Sequence, residues 1–170
     1  ILVLLAHHGI EVAGRHVVHV GRGVTIARPL ANLLTLKRPD PNAAVTVVPT
    51  GVPDWADYTR PAGIVIAAAG VPGILQPEHI SPGPVVVGGG VRYEGRNLLP
   101  DGAERCEEVA GAITPRVGGV GTTTIAMLQR ISITRRRGRS SSGAEAISVA
   151  PVFENGDAST MVDDTPSVVM

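Results

Sequence analysis

The chain is 170 residues long, enough for one hydrophobic core and too short for two ordinary ones. Its 15 Arg and Lys balance its 15 Asp and Glu, which removes the global positive field of a dedicated nucleic-acid binder. One cysteine, Cys106, excludes an internal disulfide and a multi-cysteine metal site, and points to a reducing, cytoplasmic setting. Hydrophobic residues make up 44% and charged residues 18%, a globular balance. The only aromatics are Trp55, Tyr58, Tyr93 and Phe153, so base-stacking platforms are not expected and the core falls to Val, Ile, Leu and Ala. Lys37 is the only lysine. No apolar run approaches the roughly 18–20 residues of a membrane span, and Ile1–Ala6 lacks the basic flank of a signal peptide. Starting at Ile1 rather than Met, the sequence reads as a fragment or a processed piece.

Residues 1–9 read as the end of a helix stopped by Gly9. The β-branched run His16–Val20 predicts a strand feeding the glycine turn Gly21-Arg22-Gly23. Pro29 marks a helix start, with Leu30, Leu33, Leu34 and Lys37 at helical spacing until Asp40-Pro41-Asn42 breaks it. The pattern then repeats. Strands are expected at 44–48, 64–68, 84–87 and 112–114. Helices are expected at 54–60, capped by Asp54, at 103–110, and at 122–133 after Gly118-Gly119-Val120-Gly121. The strands are continuous apolar runs, as when both faces of a parallel α/β sheet are covered by helices. Residues 135–170 open with Arg135-Arg136-Arg137-Gly138-Arg139 and lose periodicity, which reads as a mobile, solvated tail.

The turn after the first strand carries the most chemistry. Strand, Gly-x-Gly, helix is the arrangement that brings a pyrophosphate onto a helix N-terminus: glycines let the backbone approach, and unpaired helical N–H groups favour the anion. Ile26 stands where the third glycine of the dinucleotide fingerprint would be, and small Ala27 follows. The second strand ends Val48-Pro49-Thr50-Gly51, without the carboxylate that binds a free ribose. Arg22 and the Thr50 hydroxyl suit a 2′-phosphate instead, which predicts NADP over NAD. Gly118–Thr124 imitates a phosphate loop, but Thr122 occupies the place of its lysine, so nucleotide hydrolysis is not expected.

Other candidates carry little. His7 and His8 are adjacent and diverge by about 100° on a helix. His16 and His19 fall on opposite faces of a strand. Both pairs read as packing or surface residues, and no metal site is expected. Glu104, Glu107 and Glu108 read as a solvated face, and Cys106 as small core filler.

Gly14–Gly23 followed by Pro29-Leu30, then Val45-Thr46-Val47, Ala69–Gly73, Ala112–Pro115, Gly118–Gly121 and Thr124–Leu128, in that order and spacing, resemble the cofactor domain of the bifunctional methylenetetrahydrofolate dehydrogenase/cyclohydrolase family. The resemblance covers about residues 1–134. It implies a Rossmann-like doubly wound sheet, NADP as cofactor, tetrahydrofolate derivatives as substrate and a homodimer. The implied activity is oxidation of 5,10-methylenetetrahydrofolate followed by hydrolysis to the 10-formyl form. By the same resemblance Gly21, Arg22, Gly23, Thr50 and Val91 contact the cofactor, and Gly118, Gly119, Val120 and Gly121 border the folate. The family's catalytic lysine belongs to a preceding domain, so no catalytic residue is assigned in this chain. Gly88 stands where the family carries an aspartate, and Val117 and Thr122 where it carries prolines. Pro100-Asp101-Gly102 lies near the place of its Gly-Asp-Val segment. The competing expectation is a catalytically inactive nucleotide-binding or dimerisation module.

Overall fold

The computed structural model describes residues 1–38, 41–102, 104–116 and 118–138. Asp40, as a helix breaker, and nearly all of the expected tail lie outside them. The chain begins with α1 (Leu2–His7), which ends as expected at Gly9, with φ +66°. The Ile10 N–H donates to the Leu5 carbonyl and the Gly9 N–H to the Ala6 carbonyl, closing the helix in a Schellman motif. Next come β1 (His16–Val20), α2 (Ala27–Leu34) and β2 (Ala44–Val48), then α3 (Ala56–Thr59) and β3 (Ile64–Ala67). A 3₁₀ turn at Pro77–His79 leads into β4 (Val85–Gly88). A hairpin of β5 (Val91–Glu94) and β6 (Asn97–Pro100), a second 3₁₀ segment at Glu104–Glu108, β7 (Ala112–Ile113) and α4 (Val120–Gly138) complete the described chain.

Five strands form one parallel sheet in the order β2-β1-β3-β4-β7. Side chains alternate between its faces, and each face has its own core. On one, Val17, Ile64, Ile66 and Val87 pack beneath Leu5 of α1, Leu30 and Leu34 of α2, and Val120 at the start of α4. On the other, Val18, Val20, Val65 and Val86 meet Leu75, Ile80 and Cys106, which come from the turns and 3₁₀ segments, with Trp55 beside α3. Cover on both faces explains why the strands are uninterrupted apolar runs. β2 is an edge strand and correspondingly more exposed.

Several expectations are corrected. Asp54 does not cap a helix through its side chain: its φ is +49°, and α3 starts two residues later behind Trp55. The helix expected at 103–110 is the five-residue 3₁₀ segment. Lys37 lies beyond the end of α2, where Thr35 turns its hydroxyl back to the Ala31 and Asn32 carbonyls. The last helix starts at Val120, so Val120 and Gly121 belong to its first turn. The β5–β6 hairpin was not anticipated.

Candidate functional site

The chain leaves β1 through α2 to reach β2 on one side, then returns to place β3 on the other. In an open parallel sheet such a reversal leaves a crevice beyond the carboxyl ends of the strands, where ligands bind. A cavity of about 580 Å³ lies there, walled by the segments that follow β1, β2 and β3. It brings together four of the expected cofactor contacts, Gly21, Arg22, Gly23 and Thr50, with Arg28, Ala68 and Ala69 beside them.

Close packing at the crevice demands glycine at position 21. Its φ is +108°, and a Cβ there would sit 2.4 Å from the Ala68 carbonyl oxygen. The Gly21 N–H donates to the Val48 carbonyl at 2.8 Å, so this amide closes the sheet and does not face a ligand. The free donors come after it. Among the described residues the main-chain N–H groups of Arg22, Gly23, Val24 and Thr25 have no acceptor. They precede the first turn of α2, where unpaired donors and the helix dipole favour an anion.

Charge points the same way. Arg28, one turn into α2, donates through Nε to the Arg22 carbonyl at 3.1 Å, and its terminal nitrogens have no partner among the described residues. The Arg22 guanidinium likewise has none. No acidic residue occupies the first turn of α2, and none of the described residues that line the cavity is acidic. Two cations at the positive end of a helix repel each other and the dipole, a cost that a bound phosphate relieves. Arg28 escaped the sequence reading because helical spacing alone does not show a side chain folding back on its own turn.

A second cavity, of about 790 Å³, lies at the ends of β4 and β7. Val91, Gly118, Gly119, Val120 and Gly121 all line it, so the expected site residues divide between two cavities. Its floor is fixed by main chain. Gly89 and Gly90 donate to the Ala67 carbonyl at 2.8 and 2.9 Å, and Gly88 donates to the buried Thr114 hydroxyl at 2.7 Å. Gly119 abuts the Pro115 carbonyl, which a Cβ would meet at 2.8 Å. Val91 starts β5 half-exposed beside this cavity. Among the described residues no Asp, Glu, His, Cys or Lys side chain lines either cavity.

One buried acid stands between them. Asp101, fully buried after β6, accepts at Oδ2 from the Ala69 N–H at 2.6 Å and the Gly70 N–H at 2.7 Å. Burial raises its carboxyl above the ordinary range, against the pull of these amides. From the sequence Asp101 is only a turn residue between Pro100 and Gly102, since nothing local marks it as buried.

The family model described as tetrahydrofolate dehydrogenase/cyclohydrolase, NAD(P)-binding domain, matches residues 1–138. The chain is 66% identical over 139 residues to bifunctional protein FolD 1 of Salinispora tropica, covering 81% of this chain and 45% of that protein. It thus spans about half the length of the curated relatives it matches. Among solved structures, the bifunctional FolD of Campylobacter jejuni is similar at a TM-score of 0.71 and 31% identity, over 79% of this chain and 47% of that one. The Trypanosoma brucei methylenetetrahydrofolate dehydrogenase-cyclohydrolase, solved with NADP cofactor and inhibitor, gives 0.66 and 36% over 80% and 48%. With its parallel sheet, glycine turn and two cavities, the chain belongs to the tetrahydrofolate dehydrogenase/cyclohydrolase family, over that family's NAD(P)-binding domain.

Proposed function

We propose that this chain is the NADP-binding part of a 5,10-methylenetetrahydrofolate dehydrogenase/5,10-methenyltetrahydrofolate cyclohydrolase. The observation that carries the reading is that Arg22 and Arg28 lie together beside bare amides and the Thr50 segment, with no acidic partner for either and no carboxylate in the cavity among the described residues. Amides 22–25 suit the pyrophosphate, and the two guanidinium groups with Thr50 suit the 2′-phosphate. The cavity at Val91 and Gly118–Gly121 then takes the nicotinamide end and the folate beside it. When bound, NADP supplies the hydride acceptor. The chain's own residues hold and orient it: Gly21 sets the depth of the turn, and the glycines after β4 keep side chains out of the second cavity.

Calorimetric titration tests this. Arg22→Ala is expected to weaken NADP binding about tenfold and the Arg22→Ala/Arg28→Ala pair about a hundredfold, with NAD binding nearly unchanged. NAD binding as tightly as NADP to the unaltered chain would overturn the cofactor assignment.

The hydrolytic step needs a positioned acid or base, and among the described residues neither cavity has an Asp, Glu, His, Cys or Lys side chain in its wall. Lys37 lies past α2 and lines neither cavity. The 170-residue chain by itself is therefore expected to bind NADP without measurable dehydrogenase or cyclohydrolase turnover; steady turnover by the purified chain would refute this. Cavity walls without an acid or base among the described residues favour the second reading, a nucleotide-binding module whose catalysis needs residues supplied from elsewhere. A homodimeric, cytoplasmic protein belongs to the same reading, with the expected domain boundary at residue 134 moved to the end of α4 at Gly138 and the residues after it as a separate tail. Light scattering and limited proteolysis test the dimer and the boundary.

A further inference from the structure

The buried carboxylate between the cavities has a role beyond filling space. The Ala69 N–H points at Asp101 Oδ2. A trans peptide is planar, so the carbonyl of the same peptide, Ala68 O, points the opposite way. That carbonyl presses on Gly21, 2.4 Å from where a Cβ would be. The Ala68–Ala69 peptide is therefore a rigid bar between the Asp101 carboxylate and the first residue of the glycine turn. The Gly70 N–H makes a second bond to the same oxygen, and Gly70 takes a φ of +68°, so the turn after β3 curls its amides around the acid.

On its other side Asp101 holds the second cavity. Its own N–H donates to the Gly90 carbonyl at 3.0 Å. Gly90 leaves the space that Oδ2 fills; a Cβ there would lie 1.9 Å from that oxygen. Gly90 in turn donates to Ala67, the last residue of β3. The Asp101 carbonyl accepts from Leu75, which is fully buried and anchors the segment to the core. One acid thus ties the loops after β3 and β4 to each other, and both loops line the cavities.

We propose that Asp101 is a positioning residue of the dinucleotide cleft: through the Ala68–Ala69 peptide it sets the glycine turn at Gly21, and through Gly90 it fixes the second cavity relative to the first. The link to cofactor rests on the NADP reading above; the link from Asp101 to Gly21 does not.

The experiment has two readouts on the same samples of the full chain. The first is the backbone amide spectrum. In Asp101→Asn the Ala69 and Gly70 amide protons are expected to move upfield as their charge-assisted bonds weaken, and the Gly21 and Arg22 amides to move with them. The second is NADP affinity by calorimetry, at a temperature where every variant is folded by circular dichroism. Asp101→Asn, which keeps one acceptor, is expected to bind about tenfold more weakly, and Asp101→Ala about thirtyfold. Gly90→Ala, which forces the carboxylate aside with Asp101 intact, is expected to shift the same amides. Variants that melt earlier but leave the Gly21 and Arg22 amides and the NADP affinity unchanged would reduce Asp101 to a structural acid and overturn the proposal. If the unaltered chain fails to bind NADP, the cofactor reading falls, and the amide shifts at 21 and 22 alone decide whether Asp101 sets the turn.

Discussion

Gly21→Ala is expected to destabilise the chain by about 3 kcal/mol and to weaken NADP binding at least about a hundredfold. The added methyl group would meet three backbone atoms, Ala68 O at 2.4 Å, Ala68 C at 2.8 Å and Ala69 Cα at 2.9 Å. None of these is the end of a flexible side chain. The φ of +108° adds strain for any L side chain. Retreat is blocked as well, because the Gly21 N–H is bonded to Val48 and the Ala68 N–H to Val20. The turn can relieve the clash only by opening the ends of β1 and β3, which are also the wall of the first cavity. Gly23→Ala is the control. Its nearest neighbour would be the Thr25 hydroxyl at 3.9 Å, so stability should change by less than about 0.5 kcal/mol, while a methyl beside the free amides still weakens phosphate binding. Urea unfolding and calorimetry on both variants check the pair. A Gly21→Ala chain as stable as its parent would show that the loop after β3 yields.

Acidification from about pH 6.5 to about 4 is expected to cost up to about 3 kcal/mol of stability through one side chain, His19. His19, next to last in β1, sits between Val47 and Ile66 of the neighbouring strands, fully buried, and neither ring nitrogen has a partner among the described residues. Burial lowers its pKa from 6.5 to about 4. The unfolded chain therefore takes up the proton first as pH falls. The stability held by neutral imidazole is complete above 6.5 and is lost progressively toward 4. His8, also lowered by burial and by neighbouring His7, acts in the same direction, but it is exposed and its share is small. Asp101 acts in the opposite sense, since its raised carboxyl binds a proton more readily in the folded chain. The difference between wild type and His19→Val isolates the histidine. The variant is expected to lose the slope over this range. At pH 7 it should match or exceed wild type by about 1 kcal/mol, because a buried unpaired donor is removed. An unchanged slope would mean that His19 does not titrate with unfolding.

The two strands that flank the cofactor turn were legible to the residue, because β1 and β2 are short apolar runs bounded by glycine and proline. The third strand proved one residue shorter than expected, and the fourth runs one residue later, through Gly88. Glycine does not announce a strand, and only the ladder with Ala67 places it in one. The hairpin at 91–100 was missed although Glu94-Gly95-Arg96-Asn97 could have marked it, with Gly95 at φ +62°. The exposed, mixed residues of β5 give no apolar run. Asp54 failed as a cap because it takes a left-handed φ and the helix starts behind Trp55, one residue further on. Of the first cavity, the glycine turn and Thr50 were readable because each directly follows a legible strand. The second joins the ends of β4 and β7 with α4; local pattern marked only the glycines at 118–121, and Val91 came from the family resemblance alone. Arg28 and Asp101 show what one-dimensional pattern omits: a side chain that folds back, and an acid whose partners lie more than thirty positions away.

The open edge of the sheet has a consequence for behaviour in concentrated solution. β2 presents Ala44-Val45-Thr46-Val47-Val48, an uncharged segment of high strand propensity, and an exposed edge of this kind templates pairing with other chains. Pro41 before it and Pro49 after it cannot donate to an added ladder. The stretch between these imino acids that is built as strand is five residues, shorter than the six or seven that nucleate a dry fibrillar zipper. The two prolines thus serve as gatekeepers against amyloid-type growth from this edge of the sheet.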